Sequence, residues 1–373
     1  MLCREEEEYV LEMEKKNISL KKMIIFIVII LLVVIGVILL MLNKKTDNGL
    51  GQNADQKVNI TESAVAKLEF EEYKNAYFTM KIPKGWKVDT IGDYIHYTIK
   101  AYDPQNPTYQ FFFNLKTEGY NKSEDAKKWQ QTYYPNNMFA KTSVIATKDT
   151  EGFYKIFNDL GTLNNTVTFT FPTLTNFSVN ENLGKGSLNG DMLRATFKDV
   201  NGKEGEGIFT AYVYDAGPYY VYENIISGKK IDIQYLSVYD AIFITTPKDE
   251  FIDWQEALNT VCSSLNFTDT FINGFYQQQD AVMSNFQQIR AIGNQISNGI
   301  MDSWEKRNKS YDIMSQKQSD AILGYERVYN TDTGEVYKAY NGFIDDYKGN
   351  KYQSITDDMY ATKVSGYIEQ LGK

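Results

Sequence analysis

An α+β fold with an antiparallel sheet is predicted by three observations. Strand-like runs of alternating character succeed one another through the middle of the chain. An Asn-Gly turn joins two of them. One long amphipathic helix with polar flanks follows at residues 246–265. Ahead of this region lies an uninterrupted apolar run, and behind it a polar, Tyr-rich tail.

Residues 23–42, from Met23 to Leu42, read MIIFIVIILLVVIGVILLML with no charge, Pro, Asn or Gln. Twenty helical residues at 1.5 Å each cover a hydrocarbon core of about 30 Å. A cleaved signal has a shorter apolar core and a small-x-small site, whereas this run leads into Asn43-Lys44-Lys45. The expectation is an uncleaved signal-anchor, a single transmembrane helix. Arg4, Lys15, Lys16, Lys21 and Lys22 precede it, and Lys44, Lys45 and Lys57 follow. That bias places residues 1–22 in the cytoplasm and the remainder outside it.

Residues 43–67 are polar and rich in Gly, Asn and Asp, and read as a stalk. The first folded strand is Tyr77 to Pro83, turned by Lys84-Gly85 into Trp86-Lys87-Val88. Further strands are expected over residues 94–102 and 109–115. Ser123 is placed to cap a helix with Glu124 and Asp125 in its first turn. Residues 153–160 read as helical, and 163–179 as an irregular Thr/Phe-rich stretch. Residues 192–200 and 207–214 flank Asn201-Gly202 as a hairpin. Residues 219–226 and 230–244 supply more strands. Thr246 is the expected N-cap of the next helix, with Pro247 at its first position and Asp249 as capping acid. Phe251, Trp254, Leu258, Val261, Cys262 and Leu265 form that helix's apolar face.

The strand from Tyr77 with Ile82-Pro83-Lys84-Gly85-Trp86, and the closing helix with Ser264-Leu265-Asn266-Phe267, resemble PsbP/Mog1-like domains over about residues 68–268. The resemblance implies an antiparallel sheet with flanking helices. Members bind partners as different as photosystem subunits and a small GTPase, so it implies binding without naming a partner or any binding residue.

Beyond residue 268 the composition turns to Gln, Asn and Ser. In the segment 269–323, Val282, Phe286, Ile289, Gly293, Ile296, Ile300 and Trp304 recur at steps of four and three. This face either packs on its own chain or forms a coiled-coil seam between subunits, which leaves the oligomeric state open. Residues 324–373 are expected as a small Tyr-rich antiparallel β unit. This tail is similar to those of uncharacterised bacterial envelope proteins.

Several functions fall away on composition. The chain has 373 residues and a net charge of −9, which argues against nucleic acid as a partner. Lys greatly outnumbers Arg, a bias that suits an AT-rich bacterial genome. Its two cysteines, Cys3 and Cys262, lie on opposite sides of the expected membrane span and cannot pair within the chain. One histidine, His96, is too few for a His/Cys zinc site, and at its expected strand position it reads as structural. Cys262 reads as a buried packing thiol.

Asn330-Thr331-Asp332-Thr333-Gly334 begins like a calcium loop. However, Glu335 stands where Gly is needed and Asn341 where the bidentate Glu belongs, so it reads as a hairpin turn. Gly184-Lys185-Gly186-Ser187 lacks phosphate-loop spacing, and Gly202 to Gly207 belongs to a hairpin. Ser227-Gly228-Lys229-Lys230 fits Ser-x-x-Lys but lies between strands. Asp345-Asp346 and Asp357-Asp358 read as solvated loops.

No catalytic, cofactor-binding or metal residue is therefore expected. The expected function is non-enzymatic protein binding or scaffolding by a membrane-anchored extracytoplasmic protein of the bacterial cell envelope. The 28 Tyr and 21 Phe motivate an alternative, binding of wall glycan or another small ligand. A carboxylate-dependent hydrolase is a third reading.

Overall fold

A computed structural model describes residues 56–164, 168–186, 189–218, 220–278 and 310–370, all within the unit Asp55–Lys373. Alternation along one strand organises the centre. In β6 (Gln110–Asn121), Phe111 and Phe113 point to one side of a seven-stranded antiparallel sheet and Phe112 to the other. The partner strand β12 (Tyr235–Pro247) repeats this, with Ile242 and Ile244 opposed to Ala241 and Phe243. Both faces of the sheet are therefore apolar and both must be covered. Each fully buried Phe contributes about 1.5–3 kcal/mol.

The sheet order is β4 (Lys87–Ile91), β5 (Thr98–Tyr102), β6, β12, β9 (Glu204–Tyr214), β8 (Asp191–Lys198) and β7 (Thr175–Lys185). One face is covered by α4 (Phe251–Ser263) and by a small sheet of β2 (Phe70–Lys74), β3 (Phe78–Pro83) and β13 (Asn266–Phe267). Phe271 and Phe275 of α5 (Asp269–Gln278) complete that core. On the other face lie α2 (Thr150–Lys155) and α3 (Asn158–Asn164), with Phe153, Tyr154 and Phe157 stacked into the sheet. Tyr154 is wholly buried, and its hydroxyl donates between Thr210 O (2.9 Å) and Ile242 O (3.0 Å), where β12 changes register against β9.

Local signals act where they were read. Ser123 accepts from Ala126 N (3.1 Å) and caps α1 (Glu124–Tyr133). Asn201-Gly202 closes the β8–β9 hairpin, with Gly202 at φ +75°.

The capping of α4 differs. Thr246 and Pro247 remain in β12, and the helix is preceded by Glu250 without a side-chain cap of its own. The cap comes from the neighbouring strand instead. Glu206 accepts from Asp249 N (2.9 Å) and Phe251 N (3.4 Å) while paired to Arg194 at 3.1 Å. Burial raises the Glu206 carboxyl above its ordinary value despite Arg194.

The fold-class expectation needs correction. The described chain is a mixed α+β structure, mostly strands, in which no helix is long and apolar enough to cross a membrane. The transmembrane helix expected from Met23 to Leu42 lies outside the described residues. Where one antiparallel sheet with flanking helices and a small β unit were expected, the described residues form four sheets.

The C-terminal unit is also not purely antiparallel. Its order is β1 (Ile60–Glu62), β17 (Val364–Ile368), β15 (Val336–Tyr340), β14 (Tyr325–Asn330) and β16 (Tyr352–Ser354), and β15 runs parallel to β17. Its outer strand β1 comes from the segment read as stalk. The free edge of β17 faced unpaired backbone groups, and residues 60–62 satisfy them. Val328, Ala339, Phe343 and Ile368 form the core of this unit. Arg327 and Asp320, both buried, pair at 2.6 Å beside it, joining β14 to α6 (Ser310–Ile322). The seam from Val282 to Trp304 lies outside the described residues.

Candidate functional site

The chemistry-bearing side chains gather where β5 and β6 extend beyond the Phe core. On one face of β6 the sequence passes from Phe112 to Asn114 to Lys116, from apolar to polar to charged. Thr98 lies opposite Asn114 in the register. A 3₁₀ turn, Met138–Lys141, closes over these positions. Asn121 fastens it by donating to Phe139 O (3.1 Å) and Thr142 Oγ1 (3.1 Å). Gly119 permits the approach: a Cβ there would lie 2.1 Å from the Phe139 ring.

Two cavities result, one on each side of Phe139 and Glu118. The first, about 560 Å³, is walled by Ile91, Phe139, Leu160 and Phe171, with Thr98 and Asn114 also lining it. His96, Lys116 and Glu118 complete its lining. Glu118 lies 2.7 Å from Lys116 and 3.6 Å from His96 Nε2. The nearby His96 ring, with further help from Lys116, holds the Glu118 carboxyl at about 2.

His96 is not the strand residue expected from the sequence. It sits in a bend ahead of β5, where Asp93 accepts from its backbone N–H (3.0 Å). Its exposed ring also approaches Asp93 at 3.5 Å.

The second cavity, about 510 Å³, is lined by Trp129, Tyr134, Phe139, Tyr220 and Tyr235, among others. It opens beside an aromatic surface. Trp129 lies 5.0 Å from Tyr133, 5.5 Å from Tyr134 and 5.6 Å from Tyr222. Tyr222 belongs to a two-stranded ribbon, β10 (Val221–Glu223) and β11 (Lys230–Asp232). The ribbon's turn is built by Asn224, which accepts from Ile226 N and Ser227 N at 3.0 Å each. Ser227 to Lys230 is thus this turn, and Gly228 supplies its positive φ. At the tip Ile225 and Ile226 are 97% and 99% exposed. Two ion pairs hold the ribbon: Lys229 to Asp125 (2.6 Å) and Asp232 to the buried Lys122 (2.8 Å).

The remaining sequence candidates are structural. Cys262 is buried, and desolvation raises its thiol to about 12. Asn330 to Gly334 is the β14–β15 turn, with Gly334 N donating to Asn330 O (2.7 Å). Gly184 and Lys185 end β7, whereas Ser187 lies outside the described residues. Asp346 accepts from Tyr340, and Asp357 pairs with Lys317 at 2.6 Å. Among the described residues, no group of three or more His, Cys, Asp or Glu is arranged to hold a metal.

Carboxylates do converge on a third cavity of about 400 Å³, lined by Asp249, Glu250, Asp253 and Asp320. Each is already engaged. Asp320 binds Arg327 and Lys338, Glu250 accepts from Tyr109, Asp253 from Val364 N (3.0 Å) and Asp249 from Ser315 (3.1 Å). The Asp253–Val364 and Asp249–Ser315 contacts join the C-terminal unit to the start of α4.

Sequence reasoning missed the cavities and the aromatic surface. Ile225-Ile226 between turn residues was the available signal, because adjacent isoleucines in a short ribbon cannot both be buried. Comparison with known protein families and with characterised proteins finds no match to this chain.

Proposed function

We propose that this chain is a non-enzymatic binding protein that holds a protein partner on its aromatic surface and ribbon tip. The observation that carries the reading is the near-complete exposure of Ile225 and Ile226 beside Trp129, Tyr133, Tyr134 and Tyr222. Two exposed isoleucines forfeit about 1.5–3 kcal/mol each, which a partner would recover. Tyr and Trp supply broad contact area with few rotatable bonds. The ribbon is held by one ion pair at its base, Asp232 to Lys122, and one at its turn, Lys229 to Asp125, so little ordering is lost on association. The resemblance of residues 77–86 to partner-binding domains supports the same reading.

We place the binding region outside the cytoplasm at a bacterial membrane, on the strength of residues 23–42 and their flanking lysines. Protease added to intact cells, freed of any wall, should digest residues 56–370 and spare the first 22; the reverse pattern would overturn this placement.

A photo-crosslinking residue at Ile226 tests the binding role in cells. One discrete protein adduct is expected from Ile226 and none from Val200, which is 74% exposed in the β8–β9 turn. Ile225→Ser with Ile226→Ser should remove the partner without lowering stability. Identical adducts from both positions, or no adduct at Ile226, would refute the reading.

A further inference from the structure

The ribbon tip and the second cavity are complementary in shape and stand at opposite ends of α1. Lys229 pairs with Asp125 at 2.6 Å, which fastens the tip beside the first turn of that helix. The cavity, about 510 Å³, lies at the other end, lined by Trp129, Gln130 and Tyr134 together with Phe139, Tyr220 and Tyr235. Nine residues lead from Asp125 to Tyr134, about 13 Å along a helix. The exposed Ile225 and Ile226 are thereby kept away from the cavity of their own chain.

We propose that the partner on this surface is a second copy of the chain, each ribbon tip seated in the aromatic cavity of the other. A two-fold axis crossing α1 midway between tip and cavity brings both tips over both cavities at once. The result is a closed, isologous pair. This identity of the partner rests on the reading of the surface as protein-binding.

The cavity suits an apolar occupant. Glu118 is paired with Lys116 at 2.7 Å, Asn137 Nδ2 donates to the Tyr235 hydroxyl at 3.1 Å, and Gln130 Nε2 donates to Ile233 O at 3.2 Å. These groups ask for no hydrogen bond from a guest, and the surrounding rings offer flat walls to branched aliphatic side chains. A wall glycan would bring its hydroxyls to groups already paired. Charge is matched as well. Lys230 pairs with Glu223 at 3.7 Å and Lys229 with Asp125, so the tip is neutral and a chain of net charge −9 can meet its own copy there. The turn is already fixed by Asn224, so the tip enters without first having to be ordered. Because the contact forms twice in a two-fold pair, two tips leave water together.

Sedimentation of the full-length chain in density-matched detergent reads the association, and the native chain should form dimers. Ile225→Ser with Ile226→Ser removes the apolar tip, and Tyr134→Asp places a charge in the cavity wall. All three residues are exposed, so folding should be unaffected. Each variant alone should raise the dissociation constant at least about tenfold. Mixed in equal amounts, the two should associate more tightly than either alone, since the intact tips of one meet the intact cavities of the other. Association through residues 23–42 would show no such rescue.

In cells, the photo-crosslinker at Ile226 should attach to a differently tagged copy of the same chain, within residues 129–139 or 220–237. An adduct on a different protein would keep the binding surface and overturn the second copy as its partner; no adduct would overturn both. A monomeric native chain, larger open assemblies, a dimer unmoved by either variant, or no rescue in the mixture would each overturn the pair.

Discussion

Replacing Lys122 by Met tests how the partner surface is held. The Lys122 side chain is 3% exposed and lies between Asp215 and Asp232, whose side chains are 28% and 27% exposed. It also donates to Gly217 O at 3.0 Å. Burial alone would lower the Lys122 ammonium, but the two carboxylates outweigh it and raise it. Burial likewise pushes the Asp215 carboxyl up, and Lys122 with Lys148 more than reverses this, holding it at about 2. Against an ordinary Asp value near ~3.9, that difference contributes about 2–3 kcal/mol at neutral pH.

Removing one partner of a buried pair costs about 3–5 kcal/mol. Here Lys148 still neutralises Asp215 at 2.8 Å and both carboxylates can rehydrate, so about 2–3 kcal/mol is expected. Urea unfolding followed by tryptophan fluorescence measures it. The pH profile carries an independent signature. A carboxyl depressed in the folded state stabilises above its unfolded value and loses that contribution as pH falls from about 4 towards 2. The variant should show a smaller acid-induced loss over this window, and faster amide exchange in β10 and β11. A loss below about 0.5 kcal/mol, or an unchanged acid limb, would refute the claim that Lys122 anchors the ribbon.

The C-terminal unit has a comparable hub. Asp320→Ala leaves Arg327 and Lys338 without their carboxylate and should cost about 3–5 kcal/mol in urea unfolding, with Asp320→Asn milder. Cys262, buried with its thiol raised to about 12, should resist maleimide in a Cys3→Ser chain at pH 7 and react only after unfolding. Gly119→Ala must displace the Phe139 ring as well as bear φ +94°, whereas a Cβ at Gly85 meets nothing within 4 Å at φ +89°. Calorimetry should therefore show a larger loss for Gly119→Ala, by about 1–2 kcal/mol.

Signals confined to a few residues were readable. Ser123 caps its helix because its hydroxyl reaches a backbone N–H three residues on. Asn201-Gly202 turns because glycine accepts positive φ there. Thr246-Pro247 carried an equally good local helix signal that was overridden. The β12 backbone stayed paired with β9 through Pro247, and Glu206, more than 40 residues earlier in the chain, supplied the cap. His96 was misplaced for a similar reason, since Asp93 draws its backbone into a bend before the strand begins.

By itself the sequence determined the alternating Phe and Ile strands, the amphipathic α4 and the principal turns, because period and turn chemistry act between near neighbours. Only the tertiary structure decided that residues 60–62 complete the C-terminal sheet and that Trp129 meets Tyr222 across the surface. Those outcomes depend on which distant backbone edges, charges and rings meet once the chain has closed, and spacing along the chain does not encode distance through space.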